Sequence, residues 1–382
     1  MAPDIPLALQ TVYAELVDRC ADDAFLEAFP EPGEFTSKQV KGRTYWYFQS
    51  TRDGRRTQKY VGPETPELLQ RIANHRDLRS AWKQRREMVQ TLKKARMPAP
   101  DHQTGAVIAA LANAGVFRLR AILVGTLAYQ TYAPLLGVRL TSQSLRTDDV
   151  DIAQFQEISV AIQDQTPPLL DVLKEVDPTF MPVAKNIGSN AVTAYATTKH
   201  LRVEFLTPNE GPDDEDPRRL PALQTSAVPL RFLDYLIHEP AHAVILHEAG
   251  ILVNVPAPHR YALHKLIVAR RREKGSPKID KDISQANALL PVLLQKRKPD
   301  LRDALAEALA RGPRWRRYIA EGLEMINPKT ADGIRLLASD SAKTTKGNDL
   351  HRAGTDVADA DDDDDHDHGD DDRQKHDHER RR

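Results

Sequence analysis

Apolar side chains recur at helical spacing near the start of the chain (Leu9, Val12, Leu16, Phe25), which predicts a helix over residues 8–28. The period then changes. Aromatic and β-branched residues in 42–49 and 57–62 flank Asp53-Gly54, a pattern that predicts a β-hairpin. A charged helical stretch runs from Pro66 to about Met97 and stops at Met97-Pro-Ala-Pro100, because proline cannot continue a helix. The first domain boundary is placed there, closing an N-terminal region over residues 1–98.

From residue 101 the two periods alternate. The pattern predicts a helix over 104–114, an apolar strand over 118–124, a helix over 127–136, a polar loop over 141–146 and a strand over 149–153. A helix over 167–177 follows, then paired strands over 191–196 and 201–206, and a polar loop over 208–217. Two apolar runs, 241–246 and 251–255, are expected to extend the same sheet. After Pro258 the spacing is helical again, with segments over 259–272, 278–295, 300–310 and 314–325. Residues 339–382 hold too few apolar side chains to bury a core and are expected to be disordered. The expected class is α+β: a small mixed sheet flanked by helices (99–257), after an N-terminal helix and hairpin and before a C-terminal helical lobe (258–338) and an acidic tail.

Within this pattern one pair of elements carries chemistry. Leu123-Val-Gly-Thr-Leu-Ala-Tyr129 reads as the end of a strand, a small-residue turn and the start of a helix. Thr147-Asp-Asp-Val-Asp-Ile152 then places Asp149 and Asp151 two apart on a strand, so both carboxylates point one way while Val150 and Ile152 face the core. Hard oxygen ligands beside a glycine turn suit Mg²⁺ (or Mn²⁺) with a nucleotide phosphate. Gly125 allows the backbone to approach a phosphate, and Thr126 offers its hydroxyl where a helix begins, either to a ligand or as an N-cap. Glu204 lies between Val203 and Phe205 and faces opposite to them.

The strand, Gly-Thr, helix and Asp-x-Asp order resembles the signature of the DNA polymerase β-type nucleotidyltransferase superfamily. More narrowly, the chain looks like bacterial nucleotidyltransferase-fold proteins with an extended helical C-terminal region. The segments carrying that likeness are residues 147–153, Val253-Asn-Val-Pro-Ala-Pro-His-Arg-Tyr-Ala-Leu-His-Lys-Leu266 and Lys281-Asp282, within roughly residues 100–325. The resemblance implies transfer of a nucleoside monophosphate from an NTP to a hydroxyl on RNA (such as tRNA), protein or a small molecule. It gives Asp149 and Asp151 the metal, and Glu204 the third acidic place, where the superfamily usually has aspartate. It also implies that Lys265 and Lys281 contact the nucleotide and that Asp282 orients one of them. Abortive-infection toxins share the layout, so a toxin-like role with an antitoxin-like protein partner is one expectation. A catalytically inactive nucleotide- or nucleic-acid-binding module is the alternative, kept open by Glu204.

Composition changes this picture in two places. No apolar run is long enough to span a membrane, the N-terminus has no secretory pattern, and one cysteine, Cys20, excludes an internal disulfide; a cytoplasmic protein without membrane partners is expected. The net charge of −1 hides an asymmetry, since residues 355–382 carry −8 and residues 38–96 carry +11. The basic stretch is either a solvated helix or the footprint of a polyanion. Arg43, Arg55 and Arg56, on the aromatic hairpin with Tyr45, Trp46 and Tyr47, are the expected nucleic-acid contacts. Histidines in the tail sit among aspartates, which reads as a solvated acidic segment or a weak collector of soft metals.

Overall fold

A computed structural model describes residues 2–28, 34–40, 42–52, 55–73, 82–140, 147–184, 191–209 and 214–339. The expected turn at Asp53-Gly54, the loop over 141–146, part of the loop over 208–217 and the acidic tail from residue 340 lie outside the described residues. Met1–Ala338 form one compact unit.

The chain opens with α1 (Leu7–Ala28) and then a three-stranded antiparallel meander of β1 (Glu34–Val40), β2 (Arg43–Arg52) and β3 (Arg55–Pro63). The expected hairpin is its second and third strands; β1 adds a third. Alternation along β2 and β3 serves two cores at once. Tyr47 and Tyr60 are buried against the main core, with Tyr45 beside them, while Phe48 turns the other way and packs with Phe35, Val61, Leu68 and Ile72. The latter two belong to α2 (Pro66–Ala73), and α3 (Trp82–Lys94) completes the segment expected as one charged helix. Arg118 ties the meander down by donating to the Tyr60 carbonyl at 2.8 Å and to Asp164 at 2.6 Å.

Next come α4 (His102–Asn113), capped by Asp101, and then β4 (Ile122–Leu123), α5 (Gly125–Leu136), β5 (Asp149–Ala153), α6 (Gln156–Ala161) and α7 (Leu169–Val176). β6 (Met181–Ala184), β7 (Val192–Ala196), β8 (Arg202–Pro208), β9 (Arg218–Leu220) and β10 (Thr225–Leu230) follow. The sheet runs β4-β5-β8-β10-β9, with β7 sharing with β10 the edge of β8 away from β5 and carrying β6. It is mixed, because β8 runs parallel to β5 and β10 whereas β4–β5, β7–β8 and β9–β10 are antiparallel. The fold class is α+β, as the sequence pattern implies.

Two sheet expectations need correction. The strand expected over 118–124 shrinks to Ile122–Leu123. Gly115 and Arg120 both take positive φ (91° and 68°), and turn hydrogen bonds such as Leu119 N–H to Gly115 O at 2.9 Å coil the chain before it can pair. β11 (Ala241–Ile245) and β12 (Ile251–Val255) do not extend the main sheet; they pair with each other as a separate ribbon. The carbonyls of Phe117 and Ala121 accept from the Asn254 amide of β12 at 2.8 and 2.9 Å.

The short α8 (Leu233–Ile237) precedes that ribbon, and the four expected C-terminal helices appear as α9 (Pro258–Arg271), α10 (Pro277–Lys296), α11 (Lys298–Ala310) and α12 (Pro313–Leu323), each with proline at its first or second position. Residues 328–339 add one more helical segment. Arg260 on α9, almost wholly buried, bonds Glu307 on α11 at 2.7 Å, and Arg311 joins Glu307 to Asp234 of α8. This ionic seam satisfies charges that could not otherwise be buried.

Candidate active site

Parallel pairing of β5 with β8 sets Asp149 opposite Arg202 and Asp151 opposite Glu204. In register, paired residues share a face, so four charged side chains form a small square on one side of the sheet. Val150, Ile152, Val203 and Phe205 alternate with them and are fully buried on the other side. On the next strand the positions opposite Glu204 and Arg202 are Ala194 and Ala196, which leaves the charged face without bulk beside it. Glu204 accepts from Arg202 at 3.2 Å, the cross-face ion pair that alternation alone allows.

The glycine elbow meets this face at Asp151. Val124 donates its N–H to the Asp151 carbonyl at 2.9 Å, and Gly125 follows with φ of 67°. A Cβ at Gly125 would overlap Asp151 Oδ2, so glycine is required both by conformation and by space. α5 starts at Gly125, with Val124 as an N-cap that offers no side-chain acceptor. Its first N–H groups therefore have no intrahelical partner, and the positive end of the helix points toward the acidic face. Thr126 is buried in that first turn.

Electrostatics reflect the crowding. Burial, then the neighbouring charges of Glu204 and Asp149, push the Asp151 carboxyl up to about 6, against the pull of Lys265 and Lys278. Cations from the helical lobe face the same point. Burial and the charge of Lys265 hold Lys281 below the usual lysine range, partly offset by Asp282, Asp149 and Asp151. Lys265 donates to Asp282 at 2.6 Å, and Arg272 holds the other carboxylate oxygen at 2.6 Å. Burial raises the Asp282 carboxyl, but these two cations together outweigh it and leave it below the usual carboxylate range. Asp282 thus orients Lys265, and Lys281 is the less encumbered of the two expected nucleotide lysines. The neighbouring basic run disperses: Arg270 pairs with Glu321, and Arg271 lies over the Phe232 ring.

Tyr261 was not singled out for any role by the sequence pattern. Its hydroxyl lies 3.0 Å from the Gly125 carbonyl oxygen and 2.9 Å from the Gln285 amide. Lys265 lies over its ring. A contact between residues so far apart in sequence leaves no trace in local periodicity.

The three acids, the elbow, Lys281 and the Lys265–Asp282 pair are thus brought to one region. Arg43 is exposed at the β1–β2 turn of the meander, and Arg55 and Arg56 lie on β3, their side chains outside the described residues. The meander's aromatics do not form an open stacking surface: Tyr47, Tyr60 and Phe48 are buried, and Trp46 bonds Glu64.

Residues 102–310, over half of the chain, match the model of a family described as nucleotidyltransferase. The chain belongs to this nucleotidyltransferase family. The matched span holds Gly125, Thr126, Asp149, Asp151, Glu204, Lys265, Lys281 and Asp282. Residues 7–71, which include the arginines of the meander, match a domain of unknown function (DUF6788). Among solved structures, an antigenic nucleotidyltransferase-like protein from Paracoccidioides brasiliensis is similar at 17% identity over 58% of this chain and 93% of that one, with a TM-score of 0.29. No curated protein matches the chain.

The donor set of the nucleotidyltransferase site suits a divalent cation in its chemistry. Glu204 and Asp149 are close enough to Asp151 to oppose its ionisation, which a divalent charge relieves. Among the described residues, however, no three acidic, histidine or cysteine side chains converge at ligand range. Asp149 and Asp151 are the pair that would hold such an ion, with Glu204 drawn toward Arg202. No helix among the described residues is long and apolar enough to cross a membrane.

Proposed function

We propose that this member of the nucleotidyltransferase family transfers a nucleoside monophosphate from an NTP to a hydroxyl acceptor, with Asp149 and Asp151 holding Mg²⁺ or Mn²⁺. The reading is carried by one observation: the glycine elbow and the free N-terminus of α5 abut the carboxylate of Asp151, in register with Glu204. When bound, the cation supplies charge neutralisation at the triphosphate. The first-turn N–H groups of α5 and the Thr126 hydroxyl hold phosphate oxygens, and Lys281 binds the triphosphate. Lys265, fixed by Asp282, presents its charge from the side of Tyr261. The acceptor oxygen bonds to the α-phosphorus as the bond to the bridging oxygen breaks, and pyrophosphate leaves with that electron pair. Glu204 takes the hydroxyl proton. The acceptor we favour is RNA, held by Arg43, Arg55 and Arg56 of the basic meander.

The second reading, a nucleotide- or nucleic-acid-binding module without turnover, draws on the Arg202–Glu204 ion pair, which occupies the third carboxylate. Incubation with labelled NTPs, Mg²⁺ and total RNA separates the two, with Asp149→Ala/Asp151→Ala as the partner sample. Labelling of acceptor by the wild type alone is expected. Equal labelling by both proteins would remove these carboxylates from the mechanism, and nucleotide binding without labelling would leave the binding module.

A further inference from the structure

The elbow that would face the phosphate is tied to the helical lobe by one side chain. Tyr261, on α9, is almost wholly buried, and its hydroxyl is 3.0 Å from the Gly125 carbonyl oxygen, 136 residues away in sequence. A phenol has one proton to give. The Gln285 amide beside it is fully buried on α10, with Oε1 placed 2.9 Å from the phenol oxygen and Nε2 without a hydrogen-bond partner among the described residues. The phenol has only that proton for these two acceptors; turning the Gln285 amide over, which exchanges its O and N, lets the NH₂ donate to the phenol oxygen while the phenol donates to Gly125. Burial holds the phenol far above its ordinary range, so it stays protonated.

The carbonyl of Gly125 and the N–H of Thr126 belong to one planar peptide unit and point in opposite directions. Fixing the carbonyl therefore aims the N–H. That N–H is one of the first-turn donors of α5 that the helix cannot use. The same ring packs against Tyr129 and Tyr132 of α5 and lies under Lys265.

We infer that Tyr261 is a positioning residue that, with Gln285, clamps the Gly125–Thr126 peptide so that its N–H points at the triphosphate of a bound NTP. The clamp rests on the transferase reading for the identity of its ligand, but not for its existence. It makes the helical lobe part of the phosphate site without touching phosphate.

Tyr132 supplies the matched comparison. It is also fully buried, its ring contacts that of Tyr261 at 5.0 Å, and its hydroxyl donates to a backbone carbonyl, that of Pro256, at 2.9 Å. Tyr261→Phe and Tyr132→Phe each delete one buried hydroxyl from the same aromatic cluster, and only the first reaches the elbow. Amide hydrogen exchange over residues 124–129 and binding of ATP, GTP, CTP and UTP with Mg²⁺ would be measured on both full-length variants. Tyr261→Phe is expected to exchange faster over that segment and to bind its preferred NTP about tenfold more weakly, the worth of one hydrogen bond. Tyr132→Phe should match the wild type in both. Equal changes in the two variants, or an unaltered NTP affinity in Tyr261→Phe, would overturn the positioning role. If the wild type binds none of the four NTPs, the transferase reading falls, and the exchange comparison alone decides whether the clamp exists.

Discussion

Replacing Asp151 by Asn in metal-chelated buffer exchanges a carboxylate that its surroundings oppose for a neutral amide of nearly the same shape. The carboxyl rises from 3.8 to about 6, first through burial and then through Glu204 and Asp149. Between those two pH values the folded protein holds this proton more tightly than the unfolded chain does. Its contribution is therefore fully present below about pH 4 and is lost as pH rises through about 6. A shift of about two units at ~1.4 kcal/mol each bounds the cost of ionisation at ~3 kcal/mol. Because the side chain is only partly buried, we expect ~1–2 kcal/mol at neutral pH, which is a few degrees in Tm at most. Asp151→Asn should thus be more stable than the wild type at pH 7 to 8, and the gap should close on acidification toward pH 4. Denaturant titrations across that pH range with a chelator present measure both quantities. With Mg²⁺ near a hundred times its dissociation constant the order should reverse, since binding then stabilises the wild type by ~2.7 kcal/mol. A variant less stable than the wild type at pH 7 without metal, or a gap that does not change with pH, would refute the reasoning.

Three further outcomes follow from the same geometry. Asp282→Ala leaves Lys265 and Arg272 without their shared partner and should cost ~3 kcal/mol in chemical denaturation. Because the Asp282 carboxyl sits below its ordinary range, that cost should fade as pH drops toward and below 4. Gly125→Ala combines a positive φ with a clash on Asp151; we expect a loss of ~1–3 kcal/mol and no thermal shift with NTP and Mg²⁺. Replacing Arg43, Arg55 and Arg56 together by Ala should lower the slope of log affinity for RNA against log salt by ~2–3, as read by fluorescence anisotropy, with little change in NTP binding.

Long elements with strong period were legible in the sequence: α1, α4 and the helices after Pro258 lie close to where spacing and proline placed them. So was the i, i+2 pair on β5, because strand alternation follows from backbone geometry alone. Strands without an apolar alternation of their own are short, and two of them carry a proline that masks a strand, Pro182 in β6 and Pro229 in β10. β1 leaves no strand signature, because its Thr, Ser, Lys and Gln positions give no apolar alternation. The apolar run before Val124 looked like a longer strand, since sequence does not display the positive φ of Arg120. In the site, the resemblance implies that Asp282 orients one of Lys265 and Lys281 without saying which; the carboxylate bonds Lys265. Arg272 as its second partner, and Tyr261 against Gly125, depend on how α9 and α10 pack, which no local pattern encodes. Of the meander's aromatics, Tyr47, Phe48 and Tyr60 are core residues, buried on the two faces of the small sheet, whereas Tyr45 and Trp46 are half-buried.

The register of β5 against β8 has a consequence for how this protein tolerates change in length. Inserting or deleting a single residue inside either strand would turn that strand's alternation over, bringing Val150 or Val203 to the charged face and driving that strand's acids into the interior. Length variation before Thr147 carries no such inversion. Divergent relatives should therefore differ freely in the connections ahead of Asp149 and between the two strands while keeping the two-residue spacing of Asp149 and Asp151 within β5, and a sequence that breaks that spacing has abandoned the chemistry of this surface.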